Sequence, residues 1–156
     1  MTDYHPSTYT KMQIGTAFVM NDVRLNCVYM LDASYVLLSS HDADNYFFNL
    51  SAQVQNVLKG WAEDISDCDK YSRLLQSFAQ VTHAKQWSKV GGAPAGLAVG
   101  VFNYIQDSTK SGHSINCLLT KEPNNGTIFL SFYEPQTGRP MELSLKERSS
   151  AFLVVL

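Results

Sequence analysis

Apolar residues recur at helical spacing in two stretches. Leu50, Val54, Val57, Leu58 and Trp61 fall on one face of a 3.6-residue repeat, which predicts a helix over 50–61 with Ser51 near its start. After a connector at 62–66, Tyr71, Leu74, Leu75 and Phe78 follow Cys68 at helical steps. They predict a second helix, capped by Ser66 or Asp67 and ending near Val81–His83. From residue 97 the pattern becomes strand-like. Apolar and aromatic runs at 97–105, 113–120, 127–134 and 152–156 are separated by breaks at 106–112, 122–126 and 135–140. Earlier in the chain the pattern is weaker. Residues 1–20 predict only a short arm, and 23–38 two short strands around a turn at Asp32–Ser34. Residues 40–44 carry two carboxylates and read as a solvated turn, since calcium loops need more oxygen ligands than this run offers. Residues 85–96 read as a flexible loop in which Trp87 packs. That run lacks the glycine order of a phosphate cradle. Helices followed by strands predict an α+β fold with a small antiparallel sheet, in one domain over 1–156.

Composition narrows the function classes. The chain has 156 residues, 45% of them hydrophobic and 17% charged, enough for one real core. A formal net charge of −2 gives no electrostatic footprint for nucleic acid or for an anionic membrane surface. No leader-like or membrane-spanning run is seen, so the expected compartment is the cytoplasm. Cys27, Cys68 and Cys117 are odd in number and far apart. That spacing argues against a disulfide scaffold or a structural zinc site and suits a reducing compartment. Nothing in composition or spacing requires a cofactor.

Cys68 carries the chemistry that stands out. It sits in the first turn of a predicted helix, on the apolar face, where the positive end of the helix dipole favours a thiolate. A small buried hydrophobe is the commoner fate of a free cysteine. Two later residues change the balance. His113 opens one predicted strand and Glu134 closes the next, with Pro123–Gly126 as the turn between. In a regular antiparallel hairpin, paired residue numbers add to a constant. If the turn centres between Pro123 and Asn124 the constant is 247, and His113 faces Glu134 directly. A turn centred one residue later makes it 249 and puts Glu134 diagonal to His113 on the same face. Either way a histidine meets a carboxylate that can fix its tautomer, as a base and its orienter do. A structural His–Glu pair is the plain alternative. Cys117 shares the His113 face but lies roughly 13 Å along the strand, too far for proton exchange. His5, His41 and His83 have no cysteine partner by spacing, and Cys27 reads as a core residue in a strand.

Three segments in order carry a family resemblance: Asp-Cys-Asp-Lys-Tyr at 67–71, Ser-Gly-His-Ser-Ile-Asn at 111–116 and Phe-Tyr-Glu-Pro-Gln-Thr-Gly at 132–138. Their order and spacing, 45 residues from Cys68 to His113 and 21 on to Glu134, strengthen each short motif. Together they resemble the papain-like cysteine peptidase domain of the Marasmius oreades agglutinin and its stand-alone relatives. The resemblance is clearest from Asp67 to Gly138, and the motif-bearing part spans about 50–156. It implies a papain-like domain with Cys68 as nucleophile, His113 as general base and acid, and Glu134 as the residue orienting His113. It implies a peptide or protein substrate and an acyl-enzyme intermediate. Members fused to lectin modules need calcium for activity, so calcium enters only through the resemblance. Lys70 stands where relatives usually have a second acid, and Tyr71-Ser72 replaces a Phe-Ala pair. No lectin repeat is present, so sugar binding does not carry over. Gln53 and Gln55 are equal candidates for an oxyanion donor beside the Cys68 backbone N–H. The same three residues would serve a cell-wall peptide amidase or an acyl transferase. A catalytically silent interaction module is the contrasting class.

Overall fold

The computed structural model describes residues 7–58, 68–90 and 93–156. Strand β1 (Thr8–Thr10) leads into helix α1 (Lys11–Met20) and a 3-10 turn at Leu25–Cys27. Short strands β2 (Val28–Tyr29), β3 (Ser34–Val36) and β4 (Leu38–Ser39) precede two long helices, α2 (Ser40–Leu58) and α3 (Cys68–Val90). Strands β5 (Gly96–Leu97), β6 (Val99–Ile105), β7 (Gly112–Lys121), β8 (Ile128–Glu134) and β9 (Arg139–Met141) follow, then α4 (Leu145–Ser149) and β10 (Leu153–Val155). The fold mixes helix and sheet, in line with the α+β expectation. The main sheet runs β2–β10–β6–β7–β8–β9, with β4 beside β7. Its long strands β6, β7 and β8 are antiparallel, while β2–β10 and β4–β7 pair in parallel. A second, three-stranded sheet runs β1–β3–β5.

The long strands fall where the hydrophobic runs predict them. The chain before β5 departs from expectation in four places, each with a local cause. Residues 11–20 form α1 instead of an arm. Thr10 and Gln13 cap it reciprocally, with Gln13 N donating to Thr10 Oγ1 and Thr10 N to Gln13 Oε1. Ile14, Ala17 and Phe18 are buried, but Met12, Val19 and Met20 point outward, and this blurs the period. Strands β2 and β3 do not pair with each other. One lies along β10 and the other between β1 and β5, and Cys27 is buried in the turn before β2.

Residues 40–44 are the first turn of α2 rather than a solvated turn, and Ser51 lies in mid-helix. Polar residues cover the outer face, while Ala43, Phe47, Leu50 and Val54 form a buried stripe at helical steps. Ser51 Oγ donates to Pro135 O at 2.9 Å. Helix α3 runs on to Val90, into the stretch 85–96 predicted as a loop. His83 and Trp87 occupy its inward positions, and their polar tips reach the segment that leads into β5. A His83 ring nitrogen lies 2.9 Å from Ala95 O, and Trp87 Nε1 donates to Ala93 O at 2.8 Å. Polar-tipped residues at inward positions hid this half of the helix. Trp61, the 62–66 connector and the caps Ser66 and Asp67 lie outside the described residues.

The sheet separates two cores. One gathers Ile14 and Phe18 of α1 with Phe102, Tyr104, Ile115, Cys117, Leu119 and Phe132. The other gathers Phe47, Leu50 and Val54 of α2 and Tyr71 and Leu75 of α3 with Val99, Leu118 and Tyr133. Strand β7 serves both, because its side chains alternate between the faces.

Candidate active site

Cys68 begins α3 and is the one cysteine of the three that is not buried. The next turns of α3 are fastened to the sheet by polar side chains. Asn116 Nδ2 of β7 donates to Ser72 O at 2.9 Å, and Gln76 Nε2 donates to Val155 O at 2.9 Å. Gln80 Nε2 donates to Leu97 O at 3.0 Å. Asn116 also reaches Gly100 O and Gln76 also reaches Val99 O, so from Ser72 to Gln80 the contacts run back along β6 and into β5. The Cys68 end of α3 therefore points toward the opposite end of the sheet, where β6 ends, β7 begins and β8 ends. His113 and Glu134 are at that end.

The β7–β8 ladder pairs Asn116 with Tyr133 and Lys121 with Ile128, so paired numbers add to 249. The turn thus centres between Asn124 and Asn125, the later of the two registers. Glu134 is the diagonal neighbour of His113, and His113 Nε2 lies 3.8 Å from Glu134 Oε2. Both side chains are about three-quarters shielded, at 23% and 26% exposed. The turn after Glu134 is held firmly. Gly138 N donates to Glu134 O at 2.8 Å, Ser51 binds Pro135 O, and Gln55 Nε2 donates to Gln136 O. Gly138 has φ +66°, and a Cβ there would come within 2.6 Å of Phe47 O. Only glycine satisfies that conformation and that closeness together.

Tyr104 pairs with His113 across β6–β7, and its ring meets the imidazole edge-on at a centroid distance of 5.8 Å. Burial lifts the Tyr104 phenol to about 12, and nearby Glu147, Glu134 and Cys68 add to the rise. The phenol therefore stays protonated, as a neutral group among three that can carry negative charge. Glu147 belongs to α4. Its carboxylate accepts from Asp107 N and Ser144 N, which holds its pKa below the usual range and ties the 106–111 loop to α4. Asp107 in that loop receives both Lys110 and Lys146 at 2.6 Å.

The other candidates are placed elsewhere. Cys27 and Cys117 are buried, and burial raises both thiols, Cys117 to about 12. His41 faces Glu122 at 3.9 Å, His83 closes the far end of α3, and His5 lies outside the described residues. Gln55 is committed to the Gln136 carbonyl. Gln53 lines a shallow groove shared with Leu74, Phe78 and Thr82, midway along α3. Neither is thereby placed as an oxyanion donor. Among the described residues no three His, Cys, Asp or Glu side chains gather to hold a metal ion. The first turn of α3 has Lys70 beside Asp69, and Asp69 pairs with Arg73 at 3.9 Å. Among the described residues, this turn offers a calcium ion a single carboxylate, Asp69. Also among the described residues, no helix is long and apolar enough to cross a membrane.

Sequence reasoning gave no role to Tyr104, Asn116, Glu147 or Gly138, although Asn116 and Gly138 close two of the quoted motifs. Asn116 had a readable signal: it is a lone amide in the apolar run Ile115–Leu119. Glu147 had one too, since Ser144-Leu-Lys-Glu147 is a capping box, and Ser144 Oγ accepts from Glu147 N. Tyr104 becomes visible only through the register of β6 on β7.

No protein-family model matches the chain, and no curated protein matches it. Solved structures do. A structure described as a PSL1a–E64 complex aligns over 96% of this chain and 50% of its own, with a TM-score of 0.65 and 17% identity. Polyporus squamosus lectin, bound to the human-type influenza-binding epitope Neu5Acα2-6Galβ1-4GlcNAc, aligns over 96% of this chain and 49% of its own. Its TM-score is 0.64 and its identity 14%. The chain spans about half the length of these neighbours, and at this identity the likeness is one of fold.

Proposed function

We propose that this chain is a papain-like thiol hydrolase cleaving peptide or isopeptide bonds through Cys68, His113 and Glu134. One observation carries the reading. His113 and Glu134 meet in register at the end of the sheet toward which the Cys68 end of α3 points. Glu134 faces Nε2 of the imidazole, which leaves Nδ1 to take the thiol proton. The Cys68 thiolate then attacks the carbonyl carbon. The carbon–nitrogen bond breaks, and the amine leaves with the proton from His113. Water, activated by the same imidazole, hydrolyses the thioester and releases the acid. The Cys68 backbone N–H at the helix start steadies the oxyanion. A cell-wall peptide amidase or acyl transferase would use the same residues on another acyl donor or acceptor. The fold likeness to a protein described in complex with E64 supports the choice of probe.

A second reading is an interaction module with the same fold and no turnover. The lectin neighbour, described with a bound glycan, favours it. E64, an epoxide that alkylates activated thiols, separates the two. On the thiol-hydrolase reading, intact mass shows one adduct on wild type, none on Cys68→Ala and strongly slowed labelling of His113→Ala. Running the series with calcium and with chelator reads the metal dependence that the resemblance implies. Labelling at the rate of a free thiol under every condition would establish the module.

A further inference from the structure

We infer that Asn116 is a positioning residue, which sets the Cys68 helix against the His113 strand; the inference rests on the hydrolase reading and deepens it. Asn116 lies in the middle of β7 and is fully buried. Both protons of its amide are used. Nδ2 donates to Ser72 O of α3 at 2.9 Å and to Gly100 O of β6 at 3.1 Å. One side chain thus joins three elements. Ser72 is one helical turn from Cys68, and Asn116 is three residues along β7 from His113.

Packing alone does not explain an amide there. Oδ1 of Asn116 is buried and has no hydrogen-bond partner among the described residues, an arrangement that costs stability. Leu118, two residues on and on the same face, is a fully buried apolar side chain against the same helices. A leucine at 116 would fill a similar volume without desolvating an amide. What it would lose is direction at the first turns, because hydrophobic contact lets them slide and rotate while the hydrogen bond to Ser72 O, from an amide held by a second one to Gly100 O, fixes their height along β7; Gln76 and Gln80 hold only the later turns. Proton transfer between Cys68 and His113 depends on that height, since a catalytic hydrogen bond tolerates only a few tenths of an ångström. Asn116 touches neither the thiol nor the imidazole, and it acts through Ser72 and the backbone of α3.

The test is the pH dependence of iodoacetamide alkylation of Cys68, in wild type, His113→Ala and Asn116→Leu. Asn116→Asp is carried in parallel, so that one variant folds if the other does not. Folding is checked by thermal melting. In wild type a low-pH shoulder reports the Cys68–His113 ion pair, and His113→Ala removes it. Asn116→Leu is expected to slow alkylation at pH 6 by about tenfold or more while matching wild type at pH 9.5, where the thiolate forms unaided. A role in stability alone would lower the melting temperature and leave the profile in place. A shoulder that persists unchanged in a folded Asn116 variant overturns the inference and leaves the hydrolase reading standing. A wild-type profile with no shoulder overturns both.

Discussion

The two faces of β7 are built to different rules. Odd positions Ile115, Cys117 and Leu119 enter a core of hydrocarbon and aromatic rings shared with α1. Even positions are Ser114, Asn116, Leu118 and Thr120, three of them polar and all of them buried. On that side, α3 is attached by side-chain to main-chain hydrogen bonds as well as by packing. The apolar face supplies free energy without fixing a register, because hydrophobic contact has no direction. The polar face spends part of that free energy on placement. It is the face that carries the cysteine helix, while His113, an odd position, pairs with Tyr104 on the other face at the open end of the strand.

The comparison predicts that substitutions on the two faces separate stability from reactivity. Phe102→Ala on the apolar face should have the largest effect on stability, a loss of about 3–5 kcal/mol in urea denaturation. In the fraction that remains folded, the pH profile of Cys68 should change less than in Asn116→Leu, since Phe102 reaches His113 only through Tyr104. Gly138→Ala comes next, at about 2–3 kcal/mol from the left-handed backbone and the contact with Phe47. Because Gly138 closes the turn after Glu134, this change should also slow E64 labelling. Asn116→Leu should cost less, about 1–3 kcal/mol, yet disturb Cys68 reactivity more than either. Equal damage to reactivity from Phe102→Ala and Asn116→Leu would erase the distinction between the faces.

The smallest effect is expected far from the site. Burial is the main cause that lowers the pKa of His83 below 6.5. The native state then binds fewer protons than the unfolded chain. Stability should fall as pH drops from about 6.5 through the lower folded value. In His83→Gln that component should vanish from the difference in melting temperature across this window. A slope that survives the substitution would assign it to another group.

What could be read from the sequence follows the same division. The four long strand runs, the Cys68 helix and the His113–Glu134 pairing were legible because period and turn position are local properties. Turn chemistry left two registers open for the hairpin, and the ladder selected the one centred on Asn124–Asn125. Helix α1 and the start of α2 were hidden for opposite reasons. The outer face of α1 is apolar, while the first turn of α2 is almost entirely polar. The second half of α3 was hidden because His83 and Trp87 stand where aliphatic residues would mark a core face. Tyr104 and Asn116 depend on how α3 and β6 lie on β7, which no local pattern contains.

The central claim is that His113 activates Cys68. Cys27 and Cys117 are buried and their thiols raised, so alkylation reads Cys68 with little background. The direct measurement is the rate of iodoacetamide alkylation from pH 5 to 10, in wild type and His113→Ala, with calcium and with chelator. The account predicts a reactive thiolate well below pH 8 in wild type and its loss in the variant. A wild-type curve that follows a free thiol, with a single midpoint near about 8.5 in both metal conditions, would contradict it.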